Sequence, residues 1–190
     1  MKKILAVSLM AIFSVNLQAA DMDALKAEAK QITGAFFQEL KGTLGKSMKA
    51  DGPVGAIKTC QIEAPGIASK HAEQSGWNVG RTSLKLRNPA NAPDGWEVEV
   101  LNQFEQRRAN GEGPDTLAYA EQVEINGEKH FRFMKAIVMP PADKMPCLKC
   151  HGDNLDPAIS AKLEELYPAD QAKGYKAGQV RGAFSLSKKL

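Results

Sequence analysis

Residues 117–139 read LAYAEQVEINGEKHFRFMKAIVM, and the Asn126-Gly127 pair at their centre decides the architecture. Asn-Gly tolerates the left-handed backbone of a two-residue hairpin turn and is the strongest short hairpin signal. On one side lie Leu117, Tyr119, Val123 and Ile125; on the other lie Phe131, Phe133, Ile137 and Met139. Such runs of aromatic and branched residues predict two long antiparallel strands.

Working outward, Asp94 with Glu97 three residues on is a capping box, so a helix is expected over Gly95 to Ala109, burying Trp96, Val100 and Phe104. Upstream, Thr82, Leu84 and Leu86 alternate with Arg81, Ser83, Lys85 and Arg87, which predicts a half-buried strand. Downstream, Asp156-Pro157 opens a short helix to Tyr167, and Val180 to Leu186 reads as a final strand. At the N-terminal end Leu25, Ala29, Ile32, Phe36, Leu40, Leu44 and Met48 recur every three to four residues, the pattern of a long amphipathic helix over Asp23 to Lys49. Gly52-Pro53 ends it and opens a second over Val54 to Glu63; Ala64-Pro65 is expected to break the chain before a third, Ile67 to Gln74. The class is α+β: an antiparallel sheet of four or five strands with flanking helices and a long N-terminal helix.

The first residues address the chain. Met1-Lys2-Lys3 is basic, Ile4 to Val15 is apolar but for Ser8 and Ser14, and small residues surround Ala19-Ala20 before Asp21. This is the grammar of a secretory leader, with cleavage expected after Ala19, or after Ala20 as the close alternative. The apolar run is short for a membrane span and no second follows, so no anchor is expected once the leader is removed. The destination expected is the periplasm or an equivalent exported space. Lys2 and Lys3 leave with the leader, so the formal charge of +3 falls to +1. That is not the basic footprint of a nucleic-acid binder. Residues 20–190 suit a single domain.

Three cysteines and three histidines are spread over 190 residues, yet Cys147, Cys150 and His151 fall within five positions, Cys-Leu-Lys-Cys-His. Chance produces such a match about once in a thousand chains of this composition. Four chemistries compete. Covalent haem attachment uses both thiols on the two vinyl groups and sets the adjoining imidazole beneath the ring as the proximal iron ligand. A thioredoxin-like dithiol has no use for His151 and wants a βαβ setting, whereas Pro140-Pro141 and Gly152-Asp153-Asn154 predict loops. Zinc finds four donors in Cys60, Cys147, Cys150 and His151, but adjacent Cys150 and His151 are awkward joint ligands. A structural disulfide across so short a loop is a strained closure. Only haem attachment gives every residue of the motif a reason.

With that motif in hand the chain resembles the c-type haem-binding proteins with a PAS-like domain, long described only as a domain of unknown function. The resemblance rests on AIKTCQIEAPGIA (56–68), RTSLKLRNPANAPDGWE (81–97), CLKCHG (147–152) and YPADQAKGYKAGQVRGAFS (167–185). It implies a PAS-like antiparallel sheet, one covalent haem c, and the cysteine of the Ala-Ile-x-x-Cys-Gln segment, Cys60 here, as distal iron ligand. Such domains occur alone or as the extracytoplasmic input segment of membrane-bound signalling proteins. This chain runs out at Lys188-Lys189-Leu190 after the last strand, so signalling through its own length is not expected.

The residues themselves leave the second axial position contested among Cys60, His71, His130 and several methionines. Cys60 is the one thiol outside the motif, on a helix beside Val54 and Ile57, and coordination would protect it in an oxidising compartment. His71 reads as a solvated or core histidine, His130 as an exposed strand start, and Met134 and Met139 as core; Met145 is too near Cys147 to reach across. Arg81, Arg87 and Arg181 are candidate partners of haem propionates, against a solvated strand face. A thiolate ligand favours ferric iron and a low potential. The expected function is redox or gas sensing, with Cys60 leaving the iron on reduction to admit CO or NO. A periplasmic electron-transfer cytochrome is the alternative, and a haem peroxidase ranks last for want of a distal His/Arg pair. A partner cytochrome or a membrane sensor would receive the output. No enzyme activity and no catalytic residue are expected.

Overall fold

The computed structural model describes the backbone of residues 10–190 and the side chains of residues 21–190. The side chains and cleavage point of the leader expected over residues 1–19 lie outside the described residues. A long helix, α1 (Met10–Ser75), leads the chain and is bent back on itself at Gly52, whose φ of 69° is open to glycine at little steric cost. Its arms, residues 10–51 and 53–75, lie side by side. Thr59 Oγ1 donates to Ser47 Oγ at 2.8 Å, Lys70 and His71 meet Glu39 at 2.8 and 3.0 Å, and His71 lies 5.8 Å from the Phe36 ring. His71 is thereby committed to pinning the two arms together.

One expected break is missing. The second arm runs through Pro65 without interruption to Ser75. Proline removes one helical hydrogen bond, but Pro65 faces outward while Ala64 and Ile67 are buried, so packing on either side keeps the turn in place.

Strand β1 (Asn78–Thr82) follows, then a 3-10 turn (Pro89–Asn91), α2 (Gly95–Ala109), the hairpin β2 (Ala118–Ile125) and β3 (Glu128–Val138), the one-turn α3 (Leu148–His151), α4 (Pro157–Leu166) and β4 (Val180–Lys189). The strand expected over Arg81–Arg87 sits earlier than its alternation suggests. Ser83 to Arg87 form a loop whose polar groups face other segments: Ser83 Oγ donates to Arg181 O at 2.7 Å, and Leu86 O accepts from Gln171 N at 2.7 Å. The hairpin turns at Asn126-Gly127 with φ of 54° and 79°, as the dipeptide requires.

The sheet is antiparallel, four strands in the order β1-β4-β3-β2. Pleating sends alternate residues to opposite faces. Phe131 and Phe133 of β3 and Phe184 and Leu186 of β4 meet Ala29, Phe36 and Ile67 of α1, and Trp77. On the other face Met134, Ala136 and Ala183 meet Val100, Leu101 and Phe104 of α2. Met134 and Met139 are buried in the core, and His130 sits at the hairpin end of β3 near Glu128. The fold is thus α+β, an antiparallel sheet between flanking helices behind a long leading helix, as expected from the pattern, and consistent with a PAS-like arrangement.

Arg132 ties α2 to the sheet. Its guanidinium lies 4.1 Å over the Trp96 ring and pairs with Asp94 at 2.8 Å, the residue whose carboxylate caps the helix through Glu97 N. No described helix is long and apolar enough to cross a membrane.

Candidate functional site

The motif rides on α3. Cys147 precedes its single turn, and its carbonyl accepts from Cys150 N and His151 N at 3.2 and 3.1 Å, so both thiols and the imidazole leave one tight coil of chain. Gly152 closes the turn. A side chain there would run into the Leu148 carbonyl, which accounts for the glycine after the histidine. The turn is fastened to a distant segment: Tyr175 N donates to His151 O at 2.9 Å and Gly174 N to Gly152 O at 2.8 Å.

Arg87 is the buried bolt between these pieces. Its Nη2 donates to Cys150 O and Ala172 O and pairs with Asp170 at 3.1 Å, where the carboxylate is all but sealed from solvent (1 % exposed). Asp170 Oδ1 in turn accepts from Ala172 N at 2.8 Å.

That segment also orients His151. The ring Nδ1 lies 2.8 Å from Ala172 O, with Tyr175 edge-on at 6.3 Å. The carbonyl accepts the Nδ1 proton, which leaves Nε2 as the lone-pair nitrogen, and no described group hydrogen-bonds to it. Burial pushes the imidazole's proton affinity well down, aided by Arg87 and Arg181, while the Ala172 carbonyl opposes. His151 is therefore a neutral donor with one nitrogen pinned and one presented. A backbone carbonyl on the far ring nitrogen is the usual companion of a metal-binding histidine.

Cys60 comes to the same place from α1. One turn before it, Ile57 packs with Ile159, Leu163 and Tyr167 in a cluster that Cys150 also joins, and Gln61 Nε2 donates to Leu166 O at 3.1 Å. Burial pushes the Cys60 thiol up, against the pull of Arg81 and Arg87. The thiols of Cys147 and Cys150 are likewise raised by burial, and proximity to Cys60 adds to it. All three cysteines are free. Among the described residues no three His, Cys, Asp or Glu donors are grouped to hold a bare metal ion.

Arg181 is aimed by a β-bulge. Ile137 faces Gly182 and Val138 faces Val180, so Arg181 is the extra residue on β4. Its Nη1 donates to Ser83 Oγ at 2.8 Å and its Nε approaches His151 Nδ1 at 3.3 Å. Gly182 is required beside the bulge because a side chain there would collide with the Thr82 carbonyl of β1. Cys60, Cys147, Cys150, His151, Arg81, Arg87 and Arg181 are all half-buried. A hollow of about 190 Å³ between Gln61, Arg87, Pro89 and Tyr167 adjoins them.

Cys147, Cys150 and His151 share one turn and Cys60 lies on the arm whose Ile57 packs in the cluster that Cys150 joins, whereas His71 pairs with Glu39 and His130 sits at the hairpin end of β3. Asp170, Ala172 and Tyr175 escaped notice. Only Asp170 left a local trace, as the head of an Asp-Gln-Ala turn, because a carbonyl's role is invisible in a residue's identity.

Fold and site together define an α+β protein in which two thiols on one turn, a neutral pinned imidazole and a third thiol meet beside a cluster of guanidiniums. The chain belongs to the Tll0287-like family, whose model matches residues 11–188. Among solved structures it is similar to one described as the cyanobacterial heme-protein Tll0287. The match has 23 % identity and a TM-score of 0.62, and covers 90 % of this chain and 96 % of that one, which marks a shared fold. No curated protein matches the chain.

Proposed function

We propose that the chain is an exported mono-haem protein, a single domain over residues 20–190, with Cys147 and Cys150 as thioether anchors, His151 as proximal iron ligand and Cys60 as distal ligand. The observation that carries this reading is the His151 ring: Nδ1 held by the Ala172 carbonyl, Nε2 unengaged, directly beside two thiols on one turn. The donor set fits haem c. Two thiols three residues apart suit two vinyl groups, and an imidazole and a thiol from different elements suit two axial positions. The family membership and the heme-protein of similar fold agree with it.

Bound there, haem supplies a one-electron couple and, where an axial position opens, a site for CO or NO. The chain's residues set the terms. Ala172 orients His151, while burial beside Arg87 and Arg181 keeps it neutral. Asp170 and Arg87 hold the segment carrying Ala172 against the motif. Cys60, as thiolate, favours ferric iron and a low potential. A thiolate bond that weakens on reduction supports redox or gas sensing as the preferred function, with plain electron transfer as the alternative. A membrane sensor or a partner cytochrome would take the signal in the periplasm.

Absorption spectra of the wild type and Cys60→Ser, oxidised and reduced, with and without CO, test this. The expected result is equal haem content, a changed ferric spectrum in C60S, and CO binding by reduced wild type. An unchanged C60S ferric spectrum removes Cys60 from the iron. A ferrous form indifferent to CO replaces the sensor with an electron carrier.

A further inference from the structure

Among the described residues Arg81 stands apart from the other site arginines in having no partner. It lies on β1 opposite Phe184 of β4, with its guanidinium 5.8 Å over the Phe36 ring. Arg87 has Asp170, and Arg181 has Ser83 Oγ and a backbone carbonyl. No described carboxylate lies within 4.0 Å of Arg81 or of Arg181. Three guanidiniums therefore share one carboxylate. Arginine cannot shed its proton, and Arg81 and Arg181 hold their charges half-buried, where a nearby anion is worth more than in bulk water. A carboxylate brought from outside the chain would find two guanidiniums here that no described carboxylate engages.

We propose that Arg81 is the anchor for a carboxylate of the bound prosthetic group, a haem propionate, with Arg181 neutralising the second. The assignment rests on the haem reading and deepens it. Two propionates would balance the two guanidiniums that Asp170 leaves unmatched. The titratable groups whose charge reaches Arg81 are Cys60 from α1, Tyr167 from the end of α4, His151 from α3 and Arg181 from β4. None is a carboxylate. Arg81 raises the potential by stabilising the added electron, and it holds its propionate ionised.

The test is potentiometric titration of purified haem-loaded wild type, Arg81→Gln and Arg81→Lys between pH 5 and 8, with Arg107→Gln as a control from a distant surface pair. Haem content, melting temperature and the ferric spectrum are measured on each. Expected is unchanged haem content in R81Q, because attachment is covalent. At a fixed ambient potential and pH 7 the ferrous-to-ferric ratio should fall about tenfold, the scale of one nearby charge in a partly screened site. A new pH dependence should enter between pH 5 and 7 as the freed propionate takes up a proton. R81K should restore most of both, and R107Q should change neither. An R81Q potential and pH profile equal to wild type, in a variant that melts normally, overturns the assignment. So does a changed ferric spectrum with no new pH dependence, which would put Arg81 to work on Cys60 instead. An R81Q chain that fails to accumulate passes the decision to Arg81→Met, which removes the same charge while keeping an apolar stem, and its potential and pH profile are read against the same outcomes. Wild type without haem would defeat the parent reading separately.

Discussion

At the scale of single residues, the site depends on one buried ion pair more than on the cysteines' own surroundings. Asp170 is sealed from solvent and its charge faces Arg87, which holds Cys150 O and Ala172 O. Removing one member of a buried pair leaves the other uncompensated, a loss of about 3–5 kcal/mol. Asp170→Asn keeps the shape and can still accept from Ala172 N, so the charge alone is tested. Denaturant unfolding of D170N should show a loss of about 3 kcal/mol, with looser His151 geometry visible as a broadened ferric spectrum. A loss under about 1 kcal/mol would mean that Arg87 is held well enough by carbonyls alone. Of this, only Arg87 was legible in the sequence, as a candidate partner of a haem propionate rather than of Asp170. The motif announces its thiols and imidazole by identity, but Ala172 meets His151 across 21 residues of chain and Asp170 acts through Arg87 on the loop after β1.

At the scale of elements, legibility follows how local the determinants are. The hairpin and α2 are written in adjacent residues: Asn126-Gly127 takes two positive φ angles, and Asp94 and Glu97 complete a capping box at 2.8 and 3.0 Å. β1 is not. Asn-Val-Gly-Arg-Thr has little strand character, and only pairing with Ala183–Ser187 about a hundred residues on makes it a strand. Pro65 shows the converse, a local breaker overruled because the residues beside it are buried. The link from α2 to β2 carries a pH test. Arg107 pairs with Glu112 at 2.6 Å, and with Thr116 holds the Glu112 carboxyl down to about 2 from its ordinary 4.5. A depressed carboxylate contributes stability above its unfolded value, and this is lost as pH falls from about 4.5 towards 2. Glu112→Gln should therefore melt below wild type at pH 7, with the gap closing as pH approaches 2. A gap independent of pH would assign the effect to packing.

At the scale of the molecule, two halves with different logic meet at the site. The bent α1 and the sheet form a core around Phe36, Trp77, Phe131 and Phe184, and this core was largely readable from the period of the apolar residues. The site end is assembled from pieces remote in the chain: the second arm of α1, the loop after β1, α3, the segment 170–175 and the bulged start of β4. Their convergence was legible only as a list of chemically suggestive residues. It takes tertiary structure to put Cys60 beside Cys150, and to leave Arg81 without an anion. The central claim is that two sulfurs and a neighbouring imidazole on α3 hold one haem. Its most direct test is the mass of the exported chain, denatured and stripped of anything not covalently attached. The account predicts polypeptide plus one haem, lost together in Cys147→Ala/Cys150→Ala. A wild-type mass equal to bare polypeptide, in a colourless sample matured where haem c is made, would contradict it.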